Sequence, residues 1–231
     1  MPQVVDNRLL AALSGKDLDR LRPHLKLTSY PLGKSLHEAG VSLKHVHFPV
    51  SGIISLLHVM SNGASAEVAV IGREGMIGIS SFMGADRTSY RAVVQGNAQA
   101  YSLPAAVLAE EFQRGASFQK HALHFTHVLI AQMAQTAACN RHHSVEQQMC
   151  RWLLMSLDRL PSNELAMTHE LIANMLGVRR EGVTECARKL QEAGVIRYSR
   201  GRITVLDRKK LQTQACECYA IVEKEYARLF L

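Results

Sequence analysis

Short apolar runs dominate the chain between about residues 30 and 102. Glycine, serine and asparagine separate runs such as residues 45–50, 53–60 and 67–71, which is typical of strands joined by turns. Ser61, Asn62 and Gly63 lie between two of these runs and predict a tight hairpin, because Asn-Gly accepts positive φ at both turn positions. Several short strands at close spacing predict a sandwich or a barrel.

The pattern becomes helical after residue 103. One helix is predicted from Pro104 to about Arg114, with Gly115 ending it, since proline favours the first turn and glycine the position past the last. A second helix follows, with Ser117 as its N-cap. It carries a seam at alternating spacings of three and four: Leu123, Thr126, Ile130, Met133, Ala137 and Asn140. The seam predicts pairing with a second helix, and the alternative is a helix lying on its own domain core.

Residues 140–144 break the apolar pattern and mark a predicted domain boundary. Ser144 and Gln147 resemble a capping box that opens a further helix, ending near Leu160. We therefore predict a β domain over residues 1–115, a dimerisation helix and hinge over residues 116–143, and a C-terminal domain over residues 144–231.

Residues 167–207 carry the strongest local signal. Thr168 is a good N-cap for a short helix, and Gly177 after it permits a sharp turn. A second helix is predicted from near Arg179, anchored by apolar residues at helical spacing: Val183, Cys186, Ala187 and Leu190. A hairpin follows, with residues 199–201 at its tip. Two helices, a glycine turn and a hairpin together indicate a winged helix-turn-helix.

The exposed face of the second helix suits the major groove of DNA. Arginine can donate two hydrogen bonds to guanine, and a carboxylate can accept one from cytosine. Because the first residues of a recognition helix lie nearest the bases, we predict base readout by Arg180 and Glu181. Thr184 and Glu185 lie on the same predicted face. The candidates for phosphate contact are Arg179, Arg188, Thr168 and His169, with Arg200 and Arg202 at the wing. The alternative is a solvated, salt-bridged helix face, which is common for Arg and Glu at this spacing.

Charge supports the nucleic-acid interpretation. The 231 residues carry a formal net charge of +7, and residues 179–210 alone hold ten Lys and Arg against four Asp and Glu. A concentrated basic segment is the pattern expected of a protein that binds nucleic acid. No secretory leader or membrane span is visible, and five cysteines without disulfide-like spacing predict reduced thiols in the cytoplasm.

Other chemistry finds little support. No nucleophile motif or phosphate loop is present, so we do not predict an enzyme. No cysteine precedes Cys139, which argues against an N-terminal iron–sulfur cluster. Cys216 and Cys218 alone do not complete a zinc site, and His121, His124 and His127 spread around one helix, so no metal site is predicted.

Residues 177–184, Gly-Val-Arg-Arg-Glu-Gly-Val-Thr, resemble the start of the recognition helix in Crp/Fnr regulators. The resemblance extends over nearly the whole chain. It implies an α+β protein with a cyclic-nucleotide-binding-like β-roll, a long dimerisation helix and a winged helix-turn-helix. It also implies a homodimer that binds double-stranded DNA and works with RNA polymerase. Glu185 stands at a family position that is often Arg, which puts the usual operator sequence in doubt, and Gly182 replaces a frequent Ser or Thr, which removes a hydroxyl contact to phosphate.

The resemblance also names a candidate effector site in the β-roll. Gly78 is followed by Ile79 where nucleotide-binding members carry a ribose-binding Glu, while Arg87, Thr88 and Ser89 could still hold a phosphate. We predict no cofactor, leave a small-molecule effector open and consider a cyclic nucleotide disfavoured. The alternative function is a ligand-binding module whose C-terminal domain serves only as a protein-interaction element.

Overall fold

The structure is a computed structural model that describes residues 2–230. After two short helices, α1 (Arg8–Ala11) and α2 (Gly15–Leu21), the N-terminal half forms an antiparallel sheet. Its strands are β1 (Lys26–Tyr30), β2 (Ser35–His37), β3 (His45–Val59), β4 (Ser65–Ile71) and β5 (Arg91–Pro104). They are paired in the order β1-β5-β3-β4, and β2 also pairs with β5. The expected β-roll is therefore confirmed.

A close backbone approach bends the two long strands of this sheet. Gly52 in β3 has φ +73°, and a Cβ built there would lie 2.7 Å from the carbonyl oxygen of Asn97. The pairing of β3 with β5 shifts register between Pro49 and Ser51 and again between Ser51 and Ile53, across Gly52. Only glycine fits such a bulge, because any side chain would strike the neighbouring backbone. The shift curls the sheet around an apolar interior that includes Ile54, Ile71 and Val94.

The hairpin predicted at Ser61–Gly63 is present but wider than expected. β3 and β4 pair from Val59 opposite Ser65, so five residues form the loop. Gly63 has φ +83°, whereas the φ of Asn62 is not positive. The Asn62 side chain instead accepts a hydrogen bond from the Ala64 amide at 3.0 Å. The expectation of positive φ at both positions was wrong, because the asparagine stabilises the turn through its side chain.

Three helices connect the sheet to the C-terminal half: α3 (Ala105–Gln113), α4 (Ser117–His142) and α5 (Val145–Leu157). Gly115, just past α3, has φ +72°, and the capping box of Ser144 and Gln147 opens α5, as predicted. The N-cap of α4 is Ala116 rather than Ser117. The Ser117 hydroxyl donates to Asp17 at 2.5 Å, so it fixes α4 to α2 instead of capping it.

The predicted seam on α4 is displaced around the helix. Thr126 is buried and donates to the Ala122 carbonyl at 2.8 Å, and Met133 packs on the apolar interior of the roll. Leu123 and Ile130 remain 52% and 55% exposed. The exposed face continues at the same alternating spacing, through Leu123, His127, Ile130, Ala134, Ala137 and Arg141. The sequence pattern therefore predicted the correct spacing of the exposed residues along α4, but it assigned some of them to the wrong face of the helix.

The C-terminal half contains a second antiparallel sheet, in the order β6-β8-β7, and four helices. Its elements are β6 (Glu164–Ala166), α6 (His169–Leu176), α7 (Arg180–Glu192), β7 (Ile196–Ser199), β8 (Arg202–Val205), α8 (Arg208–Gln214) and α9 (Cys218–Arg228). Among residues 2–230, no helix is both long enough and apolar enough to span a membrane.

One hydrophobic core joins the two halves. Sheet residues Ile53, Leu57, Val70 and Val93 belong to the same buried cluster as the apolar residues of α5, α6 and α7. The first helix of the helix-turn-helix lies directly on the sheet, where the Gln95 amide donates to the Met175 sulfur at 3.5 Å. At the end of α6, a Cβ on Gly177 would lie 3.3 Å from the Cβ of Ala66 in β4.

Candidate nucleic-acid interface

The turn between α6 and α7 is built as its sequence predicts. The Thr168 hydroxyl accepts from the Leu171 amide at 3.2 Å and caps α6. Gly177 follows the last residue of α6 with φ +67°, and the Val178 amide then returns to the Ala173 carbonyl at 3.0 Å. This left-handed glycine satisfies the helix end and lets the chain change direction within a few residues. α7 starts at Arg180, one residue after the predicted start.

α7 presents one apolar and one polar face. Its apolar residues, Val183, Cys186, Ala187 and Leu190, are buried in the shared core. The opposite face is exposed and carries Arg180, Glu181, Thr184, Glu185 and Arg188. A helix anchored in this way holds its polar side chains at fixed positions above the surface, which is the requirement for reading base edges.

Arg179, Arg180 and Glu181 lie at the exposed N-terminus of α7. Within the part of the chain that the structure describes, no carboxylate lies within 4.0 Å of the guanidinium groups of Arg179 and Arg180. These two arginines therefore retain their full hydrogen-bonding capacity at the start of the helix.

Arg188 is placed differently from Arg180. Its guanidinium donates to both oxygens of Glu185, at 2.7 and 3.0 Å, and to Glu192 at 2.5 Å. The hydrogen bond from Arg188 lowers the pKa of the Glu185 carboxyl. In this arrangement Glu185 and Arg188 satisfy each other, so a contact of either one with DNA would first require the pair to separate.

His169 connects all three parts of the motif. Its ring stacks on Tyr198 of β7, with centroids 4.1 Å apart. The Thr184 hydroxyl donates to the Arg180 carbonyl at 3.0 Å and so accepts from His169 Nδ1 at 3.1 Å. Burial, and then the charge of Arg180, lower the pKa of His169, so the ring is neutral at pH 7. The ring therefore holds α6, α7 and the hairpin together, with its Nδ1–H and the Thr184 hydroxyl already engaged.

The hairpin of β7 and β8 is a wing with a two-residue turn. Ser199 pairs with Arg202, and Arg200 and Gly201 between them have φ +49° and +74°. Positive φ at both positions is the geometry of a type I′ turn, whose twist matches that of the strands. Arg200 is the single non-glycine residue with positive φ in residues 2–230. This turn places the exposed Arg200 at the tip of the wing.

Arg197 is a further basic residue on the wing that the sequence reading missed. In the register of this sheet it lies opposite Thr204, on the face that also carries Arg202 and Glu164. These residues line a shallow cleft together with Ser199 and Arg200. Arg202 lies 3.8 Å from a carboxylate oxygen of Glu164. The alternation of apolar and polar residues at Ile196, Arg197 and Tyr198 was the sequence signal that could have shown that Arg197 faces outward.

The predicted effector residues differ in burial and in the partners that they already have. Gly78 is buried with φ +102°, and a Cβ there would lie 2.9 Å from Val46. The Thr88 hydroxyl donates to the Tyr90 carbonyl at 2.7 Å, and the exposed Arg87 lies 3.5 Å from Asp86. Ser89 is exposed. Arg87 is thus exposed but paired with Asp86, so an anion that binds its guanidinium would first have to displace that carboxylate, and the Thr88 hydroxyl already has a partner within the protein.

Aromatic side chains fill the interior of the roll beside α4. Phe82 stacks on Phe112 with centroids 4.6 Å apart, and Phe118 contacts both rings edge-on. A Cβ on Gly75 would lie 2.1 Å from the Phe125 ring, so this ring packs directly on the backbone of the roll.

Comparison with known proteins agrees with both halves of this architecture. The family model described as a cyclic nucleotide-binding domain matches residues 27–114, and the Crp-like helix-turn-helix domain matches residues 147–214. The chain belongs to the Crp/Fnr family of transcription regulators. Like the other members of this family, it is a DNA-binding regulator with an N-terminal cyclic-nucleotide-binding-like domain.

Individual relatives are distant in sequence. The global nitrogen regulator of Synechococcus elongatus is 23% identical over 199 residues, which are 82% of this chain and 90% of that protein. A Crp/Fnr-family protein from Eubacterium rectale superposes with a TM-score of 0.71 at 21% identity, over 89% of this chain and 96% of that one. FixK2 from Bradyrhizobium japonicum gives a TM-score of 0.69 at 14% identity, over 83% and 98%. These structures establish the shared fold.

Proposed function

We propose that this Crp/Fnr regulator binds its operator by inserting the N-terminus of α7 into the major groove, where Arg180 and Glu181 contact base edges. The observation that carries the proposal is the exposed position of both side chains on a helix whose opposite face is buried in the core. Because the Arg180 guanidinium has no carboxylate partner, it can make the bidentate contact to guanine without first breaking an ion pair.

Phosphate contacts would surround this helix. Arg179 lies before α7, while Arg197, Arg200 and Arg202 line or border the wing cleft. Guanidinium groups on both sides of a recognition helix position the protein on the duplex without reading its sequence. Thr168 and His169 would contribute to DNA binding mainly by holding the motif in shape, because Thr168 caps α6 and His169 holds α7 to the wing.

We further propose that two copies pair through the exposed face of α4. Leu123 and Ile130 are large apolar side chains left in solvent on a 26-residue helix, at heptad-like spacing. Pairing would cover them and set two copies of α7 about 34 Å apart, one turn of DNA. The operator would then have two-fold symmetry.

An effector and RNA polymerase are the remaining expected partners. The match to a cyclic nucleotide-binding domain supports a small-molecule effector at the roll, and an anionic group on it would compete with Asp86 for the exposed Arg87. We expect the regulator to act in the cytoplasm. The missing ribose-binding Glu and the engaged Thr88 hydroxyl argue against a cyclic nucleotide. Contact with RNA polymerase rests on family membership alone.

Selection of bound DNA from a random pool, with and without candidate effectors, would yield the operator and its symmetry. The affinity of Arg180→Ala for that operator and for scrambled DNA should then be measured at several salt concentrations. We expect a loss of about 1–3 kcal/mol, roughly tenfold to hundredfold, on the operator alone. Arg73→Ala removes an exposed arginine in the loop after β4 that, like Arg180, has no carboxylate within 4.0 Å among the described residues, and it provides the matched control. Unchanged specific binding by Arg180→Ala would overturn the proposal.

A further inference from the structure

Four potential metal ligands meet where the dimerisation helix enters the C-terminal half. Cys139 lies in the last turn of α4, and His143 directly follows that helix. Cys216 and Cys218 come from the segment between α8 and the first turn of α9. One ligand atom from each of the four lies within 4.8 Å of all the others. The chain thus brings together residues that are 77 positions apart around a single point.

The separations are those of ligands around one ion. The sulfurs of Cys139 and Cys216 are 3.5 Å apart, and Cys218 Sγ is 3.5 Å from His143 Nδ1. Tetrahedral zinc, with bonds of about 2.3 Å to sulfur and about 2.0 Å to nitrogen, requires edges of roughly 3.8 and 3.6 Å. An iron–sulfur cluster holds its thiolates much farther apart, since several irons and sulfides lie between them.

The surroundings of His143 are those of a metal-bound imidazole. Its Nδ1 faces Cys218, while its Nε2 lies 3.2 Å from a Glu217 carboxylate oxygen. Imidazole ligands commonly donate their second N–H to a carboxylate, which fixes the tautomer and turns the other nitrogen toward the metal. The Gln135 amide donates to Cys218 Sγ at 3.0 Å, as outer residues do to thiolate ligands.

The cluster is closed to solvent on its sulfur side. Cys139, Cys216 and Cys218 are buried and form a small core of their own, separate from the two large ones. Burial raises the pKa of the Cys139 thiol to about 12, and the charge of the buried Arg151 guanidinium opposes this shift. Three thiolates with one divalent cation carry a single negative charge, which this guanidinium would partly balance.

We propose that Cys139, His143, Cys216 and Cys218 bind one zinc ion in a structural, tetrahedral site. Four protein ligands leave no open position for a reacting water, which distinguishes structural from catalytic zinc. The ion would fix the segment before α9 to the end of α4, and so hold the C-terminal helices against the dimerisation helix. The sequence alone gave only the Cys216–Cys218 pair, because Cys139 and His143 join it through the fold. His121, His124 and His127 are outside this cluster.

Zinc content and cobalt substitution test the site on the full chain. Protein purified without chelator from zinc-supplemented medium should contain one zinc per chain by mass spectrometry. Replacing zinc with cobalt should give the visible bands of tetrahedral Co²⁺ and a thiolate charge-transfer band. A chain that holds no zinc and gives no such bands would overturn the proposal, as would a disulfide between Cys139 and Cys216 in protein kept under reducing conditions.

Matched variants locate the ion. Cys216→Ser and His143→Asn should lose the zinc, whereas His143→Cys, which keeps four ligands, should retain it. Cys186→Ala removes a buried thiol outside the cluster and should also retain it. Glu217→Gln should weaken zinc binding about tenfold to hundredfold in a chelator competition, because it alters the partner of His143. Full zinc occupancy in folded Cys216→Ser would place the ion elsewhere and contradict the assignment.

Discussion

Arg159 Nε lies 2.6 Å from an oxygen of Glu74, and this ion pair joins the C-terminal half to the loop after β4. Both side chains are buried, with 6% and 9% of their area exposed. The guanidinium also donates to the Met155 carbonyl at 2.7 Å and lies 4.7 Å from the centre of the Tyr226 ring. Glu74 in turn accepts from the Gly72 amide at 3.0 Å. A charge pair satisfied on several sides fixes how the two halves meet.

Removal of one partner of this pair should be costly. In Arg159→Ala the Glu74 carboxylate stays buried without its counter-charge, and the expected loss is about 3–5 kcal/mol in the free energy of unfolding. Urea unfolding followed by the fluorescence of Trp152, the single tryptophan, measures it. The control is Arg22→Ala, whose partner Asp19 is 3.8 Å away in solvent and whose loss should cost under about 0.5 kcal/mol. Equal stability of the two variants would contradict this account.

Glu67 predicts a dependence of stability on pH. The side chain is buried on β4, where it accepts from Trp152 Nε1 at 2.9 Å and from the Ser55 hydroxyl. Burial raises its pKa to about 7 from the usual 4.5, against the opposing effects of the Ser55 hydrogen bond and the charge of Arg151. Between these two values the folded protein holds a proton that the unfolded chain has lost. The free energy of unfolding should therefore fall as pH rises through this window.

Glu67→Gln tests that prediction directly. The neutral amide can still accept from Trp152 and has no proton to lose, so the contribution of this site to the pH slope should vanish. At about pH 8 the variant should be more stable than the wild type by about 1–3 kcal/mol, the equivalent of one to two pKa units. Urea midpoints between about pH 5 and pH 8 give the comparison. Glu110→Gln, on the exposed surface of α3, should keep the wild-type slope. A slope retained in Glu67→Gln would assign it to another group.

Local patterns predicted the parts of the fold that depend on neighbours in sequence. The capping box of Ser144 and Gln147 and the glycine turn at Gly177 both involve residues within a few positions of each other. Cys139 and Cys216 of the proposed zinc site lie 77 positions apart, and Glu74 and Arg159 lie 85 positions apart, so only the folded chain brings each pair together. The α4 seam lies between these cases, since its period is local but the buried face depends on what packs against it.

The exposed face of α4 makes dimerisation testable. Ile130→Glu places a charge in the centre of the proposed interface, where it would be desolvated without a partner. We expect a shift from dimer to monomer in analytical ultracentrifugation, together with loss of operator binding. Leu32→Glu changes a comparably exposed apolar residue, 49% accessible, in the turn before β2, and should leave the dimer intact. A fully dimeric Ile130→Glu would place the interface on another surface.

The wing separates phosphate contact from base contact. Arg200→Gly keeps a residue suited to positive φ at the turn while removing the charge, so the hairpin should be retained. DNA affinity should fall to a similar extent on all sequences, and the slope of log K against log salt should decrease by about 1. Arg180→Ala should instead reduce discrimination between sequences. If Arg200→Gly altered the selected operator rather than the salt slope, the wing would be reading bases.

The sequence predicted correctly which side chains of α7 are exposed, but it did not predict which of them are free to contact DNA. Sequence spacing correctly placed Arg180 and Arg188 on one face of α7, but it gave no sign that Glu185 and Glu192 would engage the second of them. His169 was expected at a phosphate, and in the fold its ring lies against Tyr198. Pairing choices among exposed side chains depend on distances of a few ångströms, which helical periodicity does not resolve.

The common core of β4, α5 and α6 bears on how genetic data for this regulator should be interpreted. Ile53 on β3 and Val70 on β4 belong to the same buried cluster as the apolar residues of α6, and β4 packs against that helix, the one that precedes the recognition helix α7. Truncating Val70 would leave a cavity beside α6 and weaken the packing that holds the helix-turn-helix, without removing any contact to operator or effector. Screens for altered gene expression would map such substitutions to the N-terminal half, although their defect lies in the packing of the DNA-binding helices.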